Sequence, residues 1–145
     1  MNKKDIIRGR VFLLKSNNNC LVEILEVEKS QVRVIVYNIT GNEIDIVDIS
    51  DLQGIPLSIP ILNSLGFEKK EGQLMGLPYE HFWQKQLNDY ILWILDDEGI
   101  LKFATIDTDA YYGVKFSPLP YLHELQNIIG PIDVAKLFKD LQTVI

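Results

Sequence analysis

Between residues 10 and 48 the chain carries strand signals almost without a break and no helical period, which restricts this stretch to β-structure. Four runs, residues 10–15, 20–28, 31–38 and 43–48, are separated by turn-rich joints. Ser16-Asn17-Asn18-Asn19 is a polar loop, Lys29-Ser30 sits at a two-residue hairpin position, and Thr40-Gly41-Asn42 supplies residues tolerant of positive φ. Joints this short favour antiparallel neighbours. In the third run Val32, Val34 and Val36 share one face while Gln31, Arg33, Ile35 and Tyr37 share the other. In the fourth, Ile44 and Ile46 oppose Glu43 and Asp45, so each of these strands is expected to bury one face. Residues 50–54 read as a single helical turn before a short extended Ile55-Pro56-Leu57. Four strands, a turn and a fifth short strand predict an SH3-like antiparallel β-barrel over residues 1–57.

The remainder, residues 58–145, reads as an α+β lobe with a mainly antiparallel sheet and flanking helices. Residues 57–66 form a short helix with Ser58 as N-cap, Pro60 in the first turn and Gly66 just past the end. Residues 67–74 and 77–83 suit two strands around Glu71-Gly72, although residues 80–87 fit a short helix equally well. Residues 89–95 and 100–106 predict a hairpin around Asp96-Asp97-Glu98-Gly99, and residues 111–116 a further strand. Leu122, Leu125, Ile128 and Ile129 recur at helical spacing and end at Gly130-Pro131. A last helix over about residues 133–143 aligns Val134, Leu137, Phe138, Leu141 and Val144.

Gly54-Ile55-Pro56-Leu57, Ile61-Leu62-Asn63-Ser64-Leu65-Gly66-Phe67-Glu68-Lys69 and Tyr121-Leu122-His123-Glu124-Leu125-Gln126-Asn127 together resemble a family of small bacterial proteins of unknown function, many encoded in prophages or mobile elements. The resemblance covers mainly residues 54–129. It implies an architecture and a mobile-element setting, and it brings no activity, cofactor or catalytic residue.

Charge narrows the partners. The 145 residues carry a formal net charge of −6, which repels nucleic acid and anionic lipid unless basic groups cluster. Such a cluster exists only at the start, where residues 1–15 sum to +4, whereas residues 55–145 sum to −5. Lys3, Lys4, Arg8 and Arg10, with Arg33 and the rings of Phe12 and Tyr37, are therefore the candidate nucleic-acid set. No apolar run is long enough to span a bilayer, the first residues lack an apolar signal core, and one cysteine, Cys20, excludes an intrachain disulfide. These features predict a cytoplasmic protein.

His123 and Asn127 lie four apart on one helical face and form a candidate ligand-binding pair. The alternative is that both hydrogen-bond neighbouring loops, because two side chains do not complete a metal site. Asp96, Asp97, Glu98, Asp107 and Asp109 crowd two sheet connections, where carboxylates also serve ordinary turn chemistry. A pairing of His81 with Cys20 or a carboxylate would be the nearest approach to a nucleophilic site, but a strand cysteine is usually a small hydrophobe. No phosphate-binding loop, dinucleotide fingerprint, nucleophile elbow or His-Glu-x-x-His motif occurs. The expectation is a non-enzyme with no cofactor and no metal.

Ten of the fourteen aromatic residues fall between Tyr79 and Tyr121, and residues 90–95 are apolar on both strand faces. A sheet of this kind must be covered on both sides. Adjacent Tyr111-Tyr112, and Trp83 beside Phe82, cannot all point inward from regular strands, which makes Trp83, Tyr111 and Tyr112 candidates for a protein-binding surface. The leading expectation is a non-catalytic protein-binding or accessory module, its partner another protein or a second copy of the chain. The alternatives are nucleic-acid binding through the basic start and barrel, and an acidic immunity-type inhibitor.

Overall fold

The computed structural model describes residues 3–71, 81–88, 90–107 and 116–144. The chain divides into two units, Met1–Pro56 together with Tyr121–Ile145, and Leu57–Pro120. Its class is α+β, with one antiparallel sheet of five strands in each unit.

The first sheet is built from β1 (Val11–Leu14), β2 (Cys20–Val27), β3 (Gln31–Val36), β4 (Glu43–Asp48) and β5 (Leu52–Gln53). Its order is β4-β3-β2-β1-β5. The connections follow local chemistry. Glu28 and Gln31 exchange backbone hydrogen bonds of 2.9 and 3.2 Å around Lys29-Ser30, closing the tight hairpin that the sequence marks. Asn18 and Asn19 both adopt positive φ in the β1–β2 loop, a conformation asparagine tolerates better than most residues. Leu25 is an extra residue where the β2–β3 register shifts between Ile24 and Glu26. A single helical turn, Ile49–Asp51, leads directly into β5. The fifth strand is thus Leu52–Gln53 rather than the expected residues 55–57, and Pro56 instead forms an isolated bridge with Tyr121. No pairing of β4 with β5 closes this sheet into a barrel among the described residues.

Phe12, Leu14, Val22, Ile24, Val32, Val34, Val36 and Leu52 form the core on one face of the sheet. The third strand buries the face that its alternation predicts. The fourth does not: Glu43, Asp45 and Val47 lie opposite Val36, Val34 and Val32, so Ile44 and Ile46 share the outer face with Ile35 and Arg33. Ile44 and Ile46 are 62% and 61% exposed. At the edge of a sheet, pairing register overrides the hydrophobicity of the individual side chains.

The second unit begins with α1 (Ile59–Ser64), which has Pro60 in its first turn and is followed by Gly66 at φ 86°. Its sheet contains β6 (Glu68–Glu71), β7 (His81–Gln86), β8 (Tyr90–Asp97), β9 (Ile100–Asp107) and β10 (Ser117–Pro118), in the order β10-β9-β8-β7-β6. Residues 81–86 are a strand, which decides between the two readings of this segment. In the β8–β9 hairpin Glu98 and Gly99 both take positive φ, and the Gly99 N–H donates to Asp96 Oδ1 at 2.9 Å, as a two-residue turn of this handedness requires. Leu92, Trp93, Ile94 and Leu95 are all buried, so β8 is covered on both faces. Most of the expected strand over residues 111–116 lies outside the described residues.

The chain then forms α2 (Leu122–Ile129) and α3 (Val134–Val144). These helices were expected in the second lobe; they belong instead with the first sheet. The Leu122 N–H donates to the Ile55 carbonyl at 2.9 Å, and the Tyr37 and Phe138 rings lie 5.8 Å apart. Helical periodicity reveals an apolar face but not which sheet that face will cover. No helix among the described residues is long and apolar enough to cross a membrane.

Candidate functional site

Two places in the first unit bring chemistry-bearing residues together: a pocket at the start of α2, and the outer edge of the first sheet at β4. The pocket encloses about 380 Å³ and is lined by Asp5, Lys15, Gln53, Gly54, Tyr121, His123 and Glu124, with Leu52 at its apolar side. Two of its lining residues, Tyr121 and His123, stack on each other, and Phe12 stacks behind His123. Phe12 lies 4.8 Å from His123 at 27°, and His123 lies 5.5 Å from Tyr121 at 13°. Gly54 permits this arrangement, because a Cβ there would stand 2.8 Å from Tyr121 Cδ1 and 3.1 Å from His123 Cε1.

His123 is only 4% exposed. Burial lowers its pKa, and the nearby Asp5 carboxylate partly opposes that effect. Nε2 stands 3.9 Å from Asp5 Oδ2, beyond direct hydrogen-bond reach. Nδ1 is buried without a hydrogen-bond partner, an uncommon state for a polar atom in a folded protein. Glu124 has a raised pKa, mainly from burial and then from Asp5, while a hydrogen bond from the Tyr121 backbone opposes the rise. That bond is half of a capping box at the helix start.

Asn127 does not join His123 in this pocket; its Oδ1 accepts from Arg10 Nε at 3.1 Å. Gln126, part of the same motif but given no role of its own from sequence, is wholly buried. Its Oε1 accepts from the Val11 N–H at 3.0 Å and its Nε2 donates to the Gly9 carbonyl at 2.9 Å. The motif that suggested ligand binding therefore contains one residue at a pocket wall and one that fastens α2 to the backbone beside β1. A polar residue four positions after Leu122 and next to Leu125, on the apolar face of the helix, was the available signal.

The candidate protein-binding aromatics are not presented as expected. Trp83 is only 5% exposed, because β7 pairs with β8 and places Trp83 opposite Ile94. Tyr111 and Tyr112 lie outside the described residues. In the basic set, Lys4 and Arg8 are exposed, Arg10 bonds Asn127, and Arg33 stands 4.0 Å from Glu26. Lys3 is described only by its backbone. The accompanying rings, Phe12 and Tyr37, are buried and offer no stacking face to a base.

Among the described residues no group of three metal-ligating side chains converges. Asp96 serves the β8–β9 turn, and Asp97 pairs with Lys102 at 2.7 Å; Asp109 lies outside the described residues. Burial raises the Cys20 thiol pKa, the direction opposite to nucleophile activation. The His81 side chain lies outside the described residues.

The β4 edge places Ile44 and Ile46 on its outward face and Glu43, Asp45 and Asp48 along the same six residues. The Ile49 N–H donates to the Ser30 carbonyl toward β3. Strand alternation therefore turns the amides of Ile44, Ile46 and Asp48 to the open side. There the Ile46 N–H is met by the Asp45 side chain at 2.8 Å, so one of the outward donors is already covered by a carboxylate. No family model, no curated protein and no solved structure matches the chain.

Proposed function

We propose that this chain is a non-catalytic protein-binding or accessory module that docks an extended, basic segment of a partner protein along the β4 edge. The observation that carries this reading is the pair Ile44 and Ile46, more than 60% exposed on an edge strand that also bears three carboxylates. An open edge offers a row of backbone groups for strand addition. Apolar side chains beside it add contact area, and the carboxylates select the partner's charge.

Self-pairing is disfavoured by the same charges. Two copies of β4 joined at their edges would bring two rows of the carboxylates Glu43, Asp45 and Asp48 to about one strand spacing, roughly 4.8 Å, of each other. A partner strand carrying Lys or Arg neutralises them. The immunity-type alternative is a special case of this reading, with a basic effector as partner. Nucleic-acid binding has less support, since Phe12 and Tyr37, the rings expected to act with the basic set, are both buried. The order β5-β1-β2-β3-β4, with a helical turn before β5, supports reading the sheet as an SH3-like barrel left open, with β4 at its free edge.

The test is capture of partners from host lysate by the intact chain and by an Ile44→Ser, Ile46→Ser variant of unchanged stability. A basic protein retained by the former and lost by the latter is expected. Equal recovery by both would refute docking at β4.

A further inference from the structure

Resting on docking at the β4 edge, we propose that the partner segment is a six-residue strand, antiparallel to β4, with the pattern basic-apolar-apolar-basic-apolar-basic read from its N-terminal end, and that Asp45 is the residue that selects it. Residues directly opposite one another in an antiparallel pair share a face, so each β4 side chain chooses the partner side chain across from it. The first sheet is antiparallel throughout, and antiparallel pairing is the more stable per residue.

The two faces of β4 differ. On the inner face Glu43 and Asp45 lie across from Val36 and Val34 yet are exposed, whereas Val47, across from Val32, packs against the core. On the outer face Ile44 and Ile46 lie across from Ile35 and from Arg33, whose stem extends the apolar stripe while its guanidinium stands 4.0 Å from Glu26. That face ends at Asp48, so the carboxylates change sides between Asp45 and Asp48. A complementary strand sets cations opposite Asp48, Asp45 and Glu43, and apolar side chains opposite Val47, Ile46 and Ile44. A slip of one or two residues either way would put an apolar side chain against Asp45 or Asp48. The single break in the alternation therefore fixes the register.

Asp45 makes the choice of a cation more than a matter of net charge. Its Oδ1 accepts the Ile46 N–H at 2.8 Å, and that N–H is one of the outward donors a docked backbone needs. A cation opposite Asp45 draws the carboxylate onto itself and releases the N–H to the partner's carbonyl. A neutral side chain there leaves the carboxylate in place and the donor blocked. Inward-pointing charges on an edge strand guard it against indiscriminate pairing, and this guard yields to a matched cation.

The experiment titrates the intact ¹⁵N-labelled chain with three acetylated, amidated peptides of one composition: the matched Lys-Val-Val-Lys-Val-Lys, its reverse Lys-Val-Lys-Val-Val-Lys, and the segregated Lys-Lys-Lys-Val-Val-Val. All three carry the same charge, so general attraction to an acidic surface does not separate them. Followed at the amides of Ile44, Ile46 and Asp48, the matched peptide is expected to bind about fivefold more tightly than the reverse and about tenfold more tightly than the segregated one, the size of one to two cross-strand pairs. Asp45→Lys should weaken the matched peptide about tenfold and restore binding to Lys-Val-Val-Glu-Val-Lys, in which the charge opposite position 45 is exchanged. Equal affinity for the three peptides, tighter binding of the reverse, or no recovery in the charge exchange would overturn the motif while docking at β4 stands. No shift of the three amides with any peptide would overturn both.

Discussion

Gln126 Oε1 accepts the Val11 backbone N–H at 3.0 Å across 115 residues of sequence, and this bond joins the returning C-terminal helices to the first sheet. Its partner bond, from Nε2 to the Gly9 carbonyl, fixes the same side chain at 2.9 Å. A Gln126→Leu variant strands a buried donor and a largely buried acceptor. Denaturant unfolding should show a loss of about 2–6 kcal/mol, from about 1–3 kcal/mol for each unsatisfied group. An unchanged midpoint would mean that α2 is held by its apolar face alone.

Gly54 tests the ring stack. Its φ is ordinary, so the constraint is space: an added Cβ would lie 2.8 Å from Tyr121 Cδ1. Gly54→Ala should cost about 1–3 kcal/mol in thermal or chemical unfolding, as overpacking does. It should also shift the His123 ring resonances. A neutral or stabilising result would show that Tyr121 moves aside freely.

Stability should depend on pH through His123. Its folded pKa lies below the unfolded value of about 6.5, so the unfolded state binds the additional proton. The contribution is present above that pH and is lost as pH falls toward the folded pKa. Glu124 acts oppositely but at lower pH, between the unfolded glutamate value of about 4.3 and its raised folded value. Melting temperatures should therefore decline from pH 7 toward pH 5, and His123→Phe should flatten the decline. An equal slope in that variant would place the proton uptake elsewhere.

An alkaline limb should arise from Tyr37. Burial, aided by the hydroxyl's 2.8 Å bond to Glu23, raises its pKa. The folded state thus keeps a proton that the unfolded state sheds above about pH 10. Stability should fall as pH rises beyond that value, and Tyr37→Phe should lessen the fall.

The two edge isoleucines make the opposite kind of prediction. Because Ile44 and Ile46 are largely exposed, exchanging both for Ser should change stability by no more than about 0.5 kcal/mol per site. A larger loss would mean that they already cover part of the fold.

Local chemistry was largely legible in the sequence. Lys29-Ser30 and Glu98-Gly99 form the expected hairpins, Val32, Val34 and Val36 face the core, and Gly66 follows its helix. What could not be read was long-range. Nothing in the period of Leu122 and Leu125 states that their helix returns to β1, and nothing in the alternation of Ile44 and Ile46 states that their strand is an edge with its other face inward. Trp83 failed as a surface candidate for the same reason, since pairing with β8 sets its position. At the pocket, the His123-to-Asn127 spacing identified one lining residue; Asp5, Gly54 and Tyr121 reach it only through the fold.

The most direct test of docking at β4 is a titration of the intact ¹⁵N-labelled chain with an extended peptide of alternating lysine and valine, and with its glutamate-for-lysine counterpart. The lysine peptide should shift the amides of Ile44, Ile46 and Asp48 and slow their hydrogen exchange, while the glutamate peptide leaves them unchanged. If those three amides ignore the lysine peptide, or respond equally to both, the β4 edge is not a docking strand for a basic partner.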